Sequence, residues 1–334
     1  MTAGQPRAQK DSSLPLIAAI IAGGTVLVAL IAAVALVVMS RGGEPKVGGT
    51  TFERAVETMD WQAGERSGRV SFRYVDLAQY RESFEVGQAS DLDFRPTVAD
   101  LAAPNELANG MPPCSVPKDD LRAGLLPSAT YSIIASRAGM VAPGQGLFDK
   151  VAPALTDGSC GMTRSGDVIS GGGGPVPGPR VELTDDLLIT TRTGPGSVTF
   201  ERGRGDLFGD TAAGDLRACI GERPLVVSLV AVSDGAQAGS AAPDHVTAIA
   251  LVTETKAKGE MSSRVCVATD GSVEAVKRAL ETKQPGTSGM TSTNIAVDGS
   301  VITADLRPGG AGQSGGDPQV VLHSAVPEST GFLF

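Results

Sequence analysis

Two apolar runs in the second half of the chain, PLVVSLVAVS at 224–233 and HVTAIALVTET at 245–255, decide the expected fold. Both are long and rich in β-branched residues, which is typical of central strands that are buried on both faces. A third run, SRVCVAT at 263–269, predicts a neighbouring strand and would place Cys266 inside the sheet. The middle of the chain is therefore expected to form the core of a β-sheet.

The sequence after these runs extends the same sheet. SVEAVKRALET at 272–282 places Val273, Val276, Ala279 and Leu280 on one side, which predicts an amphipathic helix packed on the sheet. Asp298-Gly299 lies between two strand patterns, and this dipeptide favours a tight hairpin. Upstream, 180–203 predicts two strands joined at Gly-Pro-Gly, 194–196. Residues 181–307 are thus predicted to form an antiparallel sheet of six or seven strands with one helix.

The preceding segment, 62–170, is predicted to be a separate α+β unit. It contains two strand patterns and a short helix or turn, while 94–117 is expected to be mostly loop; the patterns are GRVSFRYVDLAQYRES at 68–83, ATYSIIAS at 129–136 and GLFDKVAPAL at 146–155. The stretch 171–180, rich in glycine and proline, is interpreted as a linker between the two units. The predicted fold class is α+β, mostly β.

Residues 14–39 contain no charged side chain, and about 20 apolar residues in a helix are enough to cross a bilayer. The apolar run is too long for a cleaved signal peptide, so we expect a single uncleaved membrane span that contacts the lipid bilayer. Lysines and arginines are nearly balanced across it. A short tail at 1–13 is expected in the cytoplasm and the bulk of the chain outside it, because long domains translocate largely regardless of charge.

Residues 40–61 are predicted to form a juxtamembrane linker and a stalk helix. Thr50 and Glu53 match a helix-capping pair, and an apolar face repeats at helical spacing through Phe52, Ala55, Val56 and Met59. We expect this helix to pack on the sheet of the first unit, with a partner-binding helix as the alternative. At the other end, 308–334 is expected to be a flexible segment followed by a final strand.

Four cysteines, Cys114, Cys160, Cys219 and Cys266, are disulfide candidates in an exported chain. The simplest pairing joins Cys114 to Cys160 and Cys219 to Cys266, one bridge in each small unit, although four cysteines allow three connectivities. The segments that begin at Cys114 and Cys219 share no pattern beyond the cysteine, so the similar spacing is interpreted as coincidence. No pair has the spacing of a zinc site.

No catalytic, cofactor or metal site is predicted. The chain has two histidines, His245 and His323, and the Gly-x-Ser-x-Gly match around Ser314 lacks the strand and helix that such a nucleophile needs. The tripeptide 204–206 is short enough to arise by chance. The aspartate pairs are interpreted as solvated turns; they are Asp91 with Asp93, Asp119 with Asp120, and Asp185 with Asp186.

The predicted anchor, the cysteine pattern and the absence of a predicted active site favour a non-enzymatic envelope protein, and the excess of arginine over lysine is typical of a bacterial source. A net charge of −9 disfavours nucleic acid as a partner. We expect a single-pass membrane protein of the bacterial cell envelope that acts outside the cytoplasm by binding or scaffolding, with a protein partner in the envelope. The alternatives are an exported hydrolase and an accessory subunit of a membrane complex.

Overall fold

The structure is a computed structural model, and it describes part of the chain. The described residues are 51–57, 69–86, 96–102, 118–135, 139–156, 162–166, 168–171, 180–191, 208, 213–232, 245–257, 260–282 and 290–308.

The described part of the chain contains both short helices and strands. The helices are α1 (Thr51–Glu57), α2 (Leu77–Phe84), α3 (Pro96–Ala102), α4 (Lys118–Ser128), α5 (Leu147–Thr156), α6 (Arg217–Ile220), preceded by a 3-10 turn (Gly214–Leu216), and α7 (Val273–Thr282). The strands are β1 (Arg69–Asp76), β2 (Tyr131–Ala135), β3 (Gly139–Pro143), β4 (Thr163–Ser165), β5 (Val168–Gly171), β6 (Arg180–Leu183), β7 (Leu187–Thr191), β8 (Val226–Val232), β9 (Val246–Ala257), β10 (Glu260–Thr269), β11 (Met290–Asp298) and β12 (Val301–Pro308).

These strands form one 12-stranded sheet in the order β11-β12-β10-β9-β8-β1-β2-β3-β7-β6-β5-β4. Every neighbouring pair is antiparallel. The predicted class, mostly antiparallel β, is confirmed, and so is the packed helix α7. The sheet is larger than the six or seven strands expected because strands on both sides of 171–180 join it. The division of the chain into two units at that stretch stays a prediction.

The order of the strands contains a topological repeat. The first repeat consists of β1, β2, β3, α5, β6 and β7, with α2 to α4 inserted after β1 and with β4 and β5 inserted after α5, and its sheet order is β1-β2-β3-β7-β6. The second repeat consists of β8, β9, β10, α7, β11 and β12, and its sheet order is β8-β9-β10-β12-β11. The two repeats meet where β1 pairs with β8, from Arg69↔Val232 to Val75↔Val226. We call this β1–β8 pair the seam. An antiparallel pairing of two equivalent strands is the self-complementary contact that a two-fold relation produces.

Equivalent side chains in the two repeats lie on equivalent faces of the sheet. On one face of β8, Val226 belongs to the apolar cluster that contains α5, and Val230 and Val232 belong to the cluster that contains α7. The opposite face carries Val227, Leu229 and Ala231, which pack with α1 and the 3-10 turn. The helices α5 and α7 therefore cover the same side of the sheet. Alternation of side chains along a strand imposes this division.

The repeat is also visible in a few residues. The seam strands contain Val-Ser-Phe at 70–72 and Val-Ser-Leu at 227–229, and the central pair of the seam is Phe72↔Leu229. The helices share a Val-x-x-Ala-Leu pattern at 151–155 and 276–280. Neither match includes a cysteine. The cysteine spacing therefore did not reveal the repeat, although a repeat is present.

Local predictions were confirmed in most strands and differed in two places. The hairpin at Asp298-Gly299 joins β11 to β12, and Gly299 has a φ of 57° as such a turn requires. The turn between β6 and β7 lies at 184–186, upstream of the expected Gly-Pro-Gly, because the Thr184 backbone N–H donates to the Leu187 carbonyl. A helix, α3, occupies part of the segment expected to be loop.

Several predicted segments lie outside the described residues. They are the membrane span at 14–39, residues 172–179 of the predicted linker, and the C-terminal run beyond 308. Within the ranges that the structure describes, no helix is both long and apolar enough to span a membrane.

Candidate functional site

A cleft of about 370 Å³ lies at the end of the seam where β1 finishes and β8 begins. Four parts of the chain line it: α1, the end of β1 with the first turn of α2, Thr130, and the loop before β8. Its lining residues are Thr51, Phe52, Arg54, Tyr74, Asp76, Ala78, Gln79, Glu82, Thr130, Glu222, Arg223 and Pro224. The cleft thus contains side chains from both repeats and from the helices between β1 and β2.

Asp76 forms the floor of the cleft and ends β1 by starting a helix. Its backbone is extended, and its Oδ1 accepts a hydrogen bond of 2.8 Å from the backbone N–H of Gln79, as expected for a helix N-cap. Its Oδ2 accepts a hydrogen bond of 3.2 Å from the Tyr74 hydroxyl. Both carboxylate oxygens therefore have partners within the protein, and the residue is only 8% exposed.

The buried position of this pair changes its acid-base properties. Burial raises the pKa of Asp76 above the usual value for an aspartate, although the hydrogen bonds from Gln79 and Tyr74 and the charges of Arg223 and Arg81 lower it. Burial also raises the pKa of Tyr74, and the neighbouring Asp76 adds to the increase. Removal of a charged group from water disfavours ionisation, which explains both directions.

An aromatic cluster supports the side of the cleft formed by α1. The Phe52 ring packs edge-to-face on Tyr74 with 5.1 Å between the ring centroids, and it also contacts Phe72 and Phe208. The predicted apolar face of the helix is confirmed at Phe52, Ala55 and Val56, which are buried. The helix therefore packs on the sheet, as expected, and its exposed Arg54 is held at the mouth of the cleft.

The loop before β8 is held by a disulfide and an ion pair. Cys219 in α6 is bonded to Cys266 in β10, so this predicted bridge is confirmed. Arg264 donates to the Cys219 and Ile220 carbonyls and forms a bidentate pair with Glu254, with N–O distances of 2.9 and 2.6 Å. These contacts fix the end of α6, from which the loop at 221–225 continues into the cleft.

Side-chain hydrogen bonds join the α2 side of the cleft to the second repeat. The amide Nε2 of Gln79 donates to the Thr255 hydroxyl at 3.1 Å and to the Arg223 carbonyl at 3.3 Å. Ser83 donates to the same hydroxyl of Thr255. The cleft is therefore braced across its width before any ligand binds.

The charged groups at the mouth of the cleft are exposed. Arg223 lies 3.8 Å from Glu82, and their side chains are 76% and 77% exposed, so this pair is weak. Arg54 forms no ion pair within the described part of the chain. Two arginines thus line the same cleft as the Tyr74–Asp76 pair, and neither forms a close ion pair with another described residue.

The structure distributes the residues that the sequence singled out over separate places. His245 directly precedes β9 and has a φ of 71°, and its Nδ1 lies 3.3 Å from Asp270, with both side chains well exposed. Asp185 and Asp186 lie in the turn between β6 and β7, as predicted. Asp119 and Asp120 lie in the first turn of α4, so the prediction of a solvated turn there was wrong. The remaining candidates lie outside the described residues: Cys114, Cys160, Ser314, His323, the tripeptide 204–206, Asp91 and Asp93. Among the described residues, no group of three potential metal ligands is found.

Sequence reasoning missed the cleft. Its residues come from 51–54, 74–82, 130 and 222–224, and no motif spacing connects them. One local signal was present, since Asp76 ends a strand pattern and directly precedes a Leu-Ala-Gln-Tyr helix pattern, a suitable position for an N-cap.

Comparison with known proteins gives no match. No protein-family model, no curated protein and no solved structure is similar to this chain at a significant level.

Proposed function

We propose that this chain is a binding protein of a bacterial cell envelope, anchored by one membrane span at 14–39, with its folded part outside the cytoplasm and the cleft as its ligand site. The observation that carries the binding role is the braced cleft, with a volume of about 370 Å³. That volume falls within the range of small-molecule sites, about 300–1,000 Å³. Rigid walls favour binding because little conformational entropy is lost when a ligand enters.

Two observations support the proposed location. The chain contains an uncharged apolar stretch at 14–39 that is long enough to cross a bilayer. Its described fold contains the Cys219–Cys266 disulfide, and such bridges persist mainly in oxidising compartments outside the cytoplasm.

The position of Asp76 favours a binding role over the alternative of an exported hydrolase. A general acid or base must exchange its proton with a substrate within hydrogen-bonding distance. Both oxygens of Asp76 are already engaged, one with the α2 backbone and one with Tyr74. Its carboxylate therefore acts as a structural cap that shapes the cleft.

The location is tested in bacterial cells that express the full chain. We expect the protein to resist carbonate extraction from membranes and to be cut by protease added to spheroplasts. Leu27→Lys/Ile31→Lys should abolish the membrane retention, because a lysine at the centre of a span costs about 3 kcal/mol. Leu27→Val/Ile31→Val is the matched control. Carbonate-soluble wild-type protein, or a folded part that is protected in spheroplasts, would contradict the proposal.

The binding role is tested by a small-molecule screen against the full chain in detergent, with the melting temperature as the readout. Ala78→Trp places a large side chain in the cleft, so compounds that stabilise the wild type should no longer do so. Ala275→Trp, on the exposed side of α7, is the matched control and should retain the response. A screen without a hit, or hits that persist in Ala78→Trp, would count against the cleft as a ligand site.

A further inference from the structure

We propose that the cleft binds the oxyanion group of a small molecule, a carboxylate or a phosphate, between the guanidinium groups of Arg54 and Arg223. This inference rests on the proposed function and names the class of ligand for the same site. Arginine is the side chain best suited to such groups because its planar fork of N–H donors matches two oxygens at once.

The first argument is the position of the two arginines relative to one buried pair. Arg54 acts on the Tyr74 hydroxyl, since its charge lowers the pKa of Tyr74 against the effect of burial. Arg223 acts on the Asp76 carboxylate in the same way. Both arginines line the same cleft, and the two groups on which their charges act, the Tyr74 hydroxyl and the Asp76 carboxylate, are 3.2 Å apart.

The second argument is that neither arginine forms a strong ion pair with any residue in the described ranges. Arg54 forms no ion pair with any residue that the structure describes, and Arg223 has only the weak contact with Glu82. The backbone of Arg223 is nevertheless fixed, because its carbonyl accepts a hydrogen bond from Gln79. A fixed backbone with an available guanidinium group is suited to hold an anion.

The third argument is the orientation of α2, which begins in the cleft. The N-terminal end of a helix carries a partial positive charge and stabilises a nearby anion. Asp76 occupies the cap, and Ala78 and Gln79 donate their N–H groups to Thr130 and Asp76. The helix therefore contributes its field to the cleft, while the direct hydrogen bonds to the ligand come from the arginines.

The carboxylates around the cleft determine how binding depends on pH. The charged and titratable groups that face Asp76 are Tyr74 on β1, Arg81 and Glu82 on α2, Glu222 and Arg223 on the loop, and Arg54 on α1. A bound anion repels an ionised Asp76, and burial already favours its protonated form. Anion binding and protonation of Asp76 therefore promote each other, so affinity should rise as the pH falls.

The test uses the full chain in detergent and records the arginine side-chain NMR signals during titration. Inorganic phosphate and acetate are added in separate arms to about 50 mM, with chloride at equal ionic strength as the control. We expect saturable shifts of Arg54 and Arg223 with at least one of the two anions. The arm that saturates at the lower concentration identifies the chemical source of the oxyanion.

Substitutions then separate the site from general surface effects. Arg54→Gln or Arg223→Gln should weaken binding about tenfold each, since each removes a charge-assisted hydrogen-bonding group. Arg54→Lys/Arg223→Lys should retain part of the affinity, and Arg278→Gln on α7 is the matched control. Asp76→Asn should remove the rise in affinity that acidification produces in the wild type.

Two results would overturn the inference: shifts that do not saturate with either anion, or unchanged affinity in Arg54→Gln/Arg223→Gln. Such a failure is distinct from failure of the proposed function. If the anions do not bind but Ala78→Trp abolishes binding of hits from the screen, the cleft remains a ligand site for another class of compound.

Discussion

The two repeats have the same strand order, but β4 and β5 are inserted in the first repeat only, and the connection between the first two strands also differs. In the second repeat, β8 is connected to β9 by residues 233–245, whereas in the first repeat β1 is connected to β2 by residues 77–130, which include α2, α3 and α4. The cleft lies where this longer connection leaves β1. The shared part of the repeats therefore builds the sheet, and the part that differs builds the candidate site.

The helices around the two repeats are also held differently. In the first repeat, α3, α4 and α5 pack in one apolar cluster with the sheet. The short helix α6, which precedes β8, packs on the opposite face of the sheet and is held by the Cys219–Cys266 bridge and by Arg264. Apolar contacts therefore hold the helices of the first repeat, whereas covalent and hydrogen-bonded contacts add to the packing of α6.

The largest expected effect comes from breaking the seam that both repeats share. Phe72→Ala should lower the free energy of unfolding by about 4 kcal/mol, and Leu229→Ala by about 3 kcal/mol, because each leaves a cavity in a buried cluster. Urea unfolding of the full chain in detergent measures both values. Val297→Ala, at an exposed residue of β11, should change the value by less than about 0.5 kcal/mol. A loss of less than about 1 kcal/mol in the free energy of unfolding for Phe72→Ala and Leu229→Ala would contradict the prediction.

Removal of the disulfide should affect the second repeat more than the first. Cys219→Ala/Cys266→Ala is expected to lower the free energy of unfolding by about 3 kcal/mol, since the bridge closes a loop with a sequence separation of 47 residues. Hydrogen exchange should become faster in α6 and at 221–225 and should change little in α5. An equal change in both repeats would show that the bridge stabilises the sheet as a whole.

The loop that leads into the cleft should tolerate substitution poorly. Gly221 has a φ of 80°, and a Cβ there would lie 3.1 Å from the Arg264 guanidinium nitrogen. Gly221→Ala should therefore cost about 2 kcal/mol. Gly299→Ala is the matched control, since Gly299 also has a positive φ but has open space around it, and should cost about 1 kcal/mol. Equal melting temperatures of the two variants would argue against the close contact.

The pH dependence of stability tests the buried Asp76 of the first repeat, which has no equivalent carboxylate in β8. Because burial raises the pKa of Asp76, the folded state holds this proton to a higher pH than the unfolded state. Its contribution to the free energy of unfolding should therefore fall as the pH rises from the usual pKa of an aspartate, about 4, through the raised pKa of the folded state. Asp76→Asn should show a flatter profile in urea titrations over that range. A steeper profile for the variant would reverse the assigned direction.

The smallest expected effect concerns an ion pair that joins α1 to α6. Arg217 contacts Glu53 at 2.5 Å, but the arginine side chain is 62% exposed. Arg217→Gln should lower the free energy of unfolding by only about 0.5 kcal/mol, because solvent screens such pairs. Addition of salt should reduce the difference between this variant and the wild type. A salt-independent loss above about 1 kcal/mol would indicate a packing role for the arginine stem.

The sequence predicted the second repeat better than the first for a physical reason. In the second repeat, β8 and most of β9 are buried on both faces, so they appear as continuous β-branched runs, and Asp298-Gly299 marks the hairpin of β11 and β12. In the first repeat, β1 alternates between Phe72, Tyr74 and more polar neighbours, and three helices separate it from β2. Pairing across that distance depends on tertiary contacts, which local periodicity does not contain.

The repeat and the cleft were harder to predict because neither depends on consecutive residues. The two repeats resemble each other in which face of the sheet their apolar residues occupy. Their sequences match only in short stretches, such as Val-Ser at 70–71 and 227–228. The cleft is lined by four segments that are far apart in the sequence, and the fold brings them together. Asp76 was visible as a cap position, but the approach of Arg54 and Arg223 to it depends on the fold alone.

The seam also sets an order of events during synthesis. Its first strand, β1, pairs with β8, which is made about 150 residues later, so the central pair of strands cannot form until most of the chain has emerged. Until then, the edge of β1 that will meet β8 lacks that partner, and unpaired strand edges promote aggregation. If the chain is exported as an extended polypeptide, we expect that its yield will depend on holding factors that protect this edge until β8 arrives.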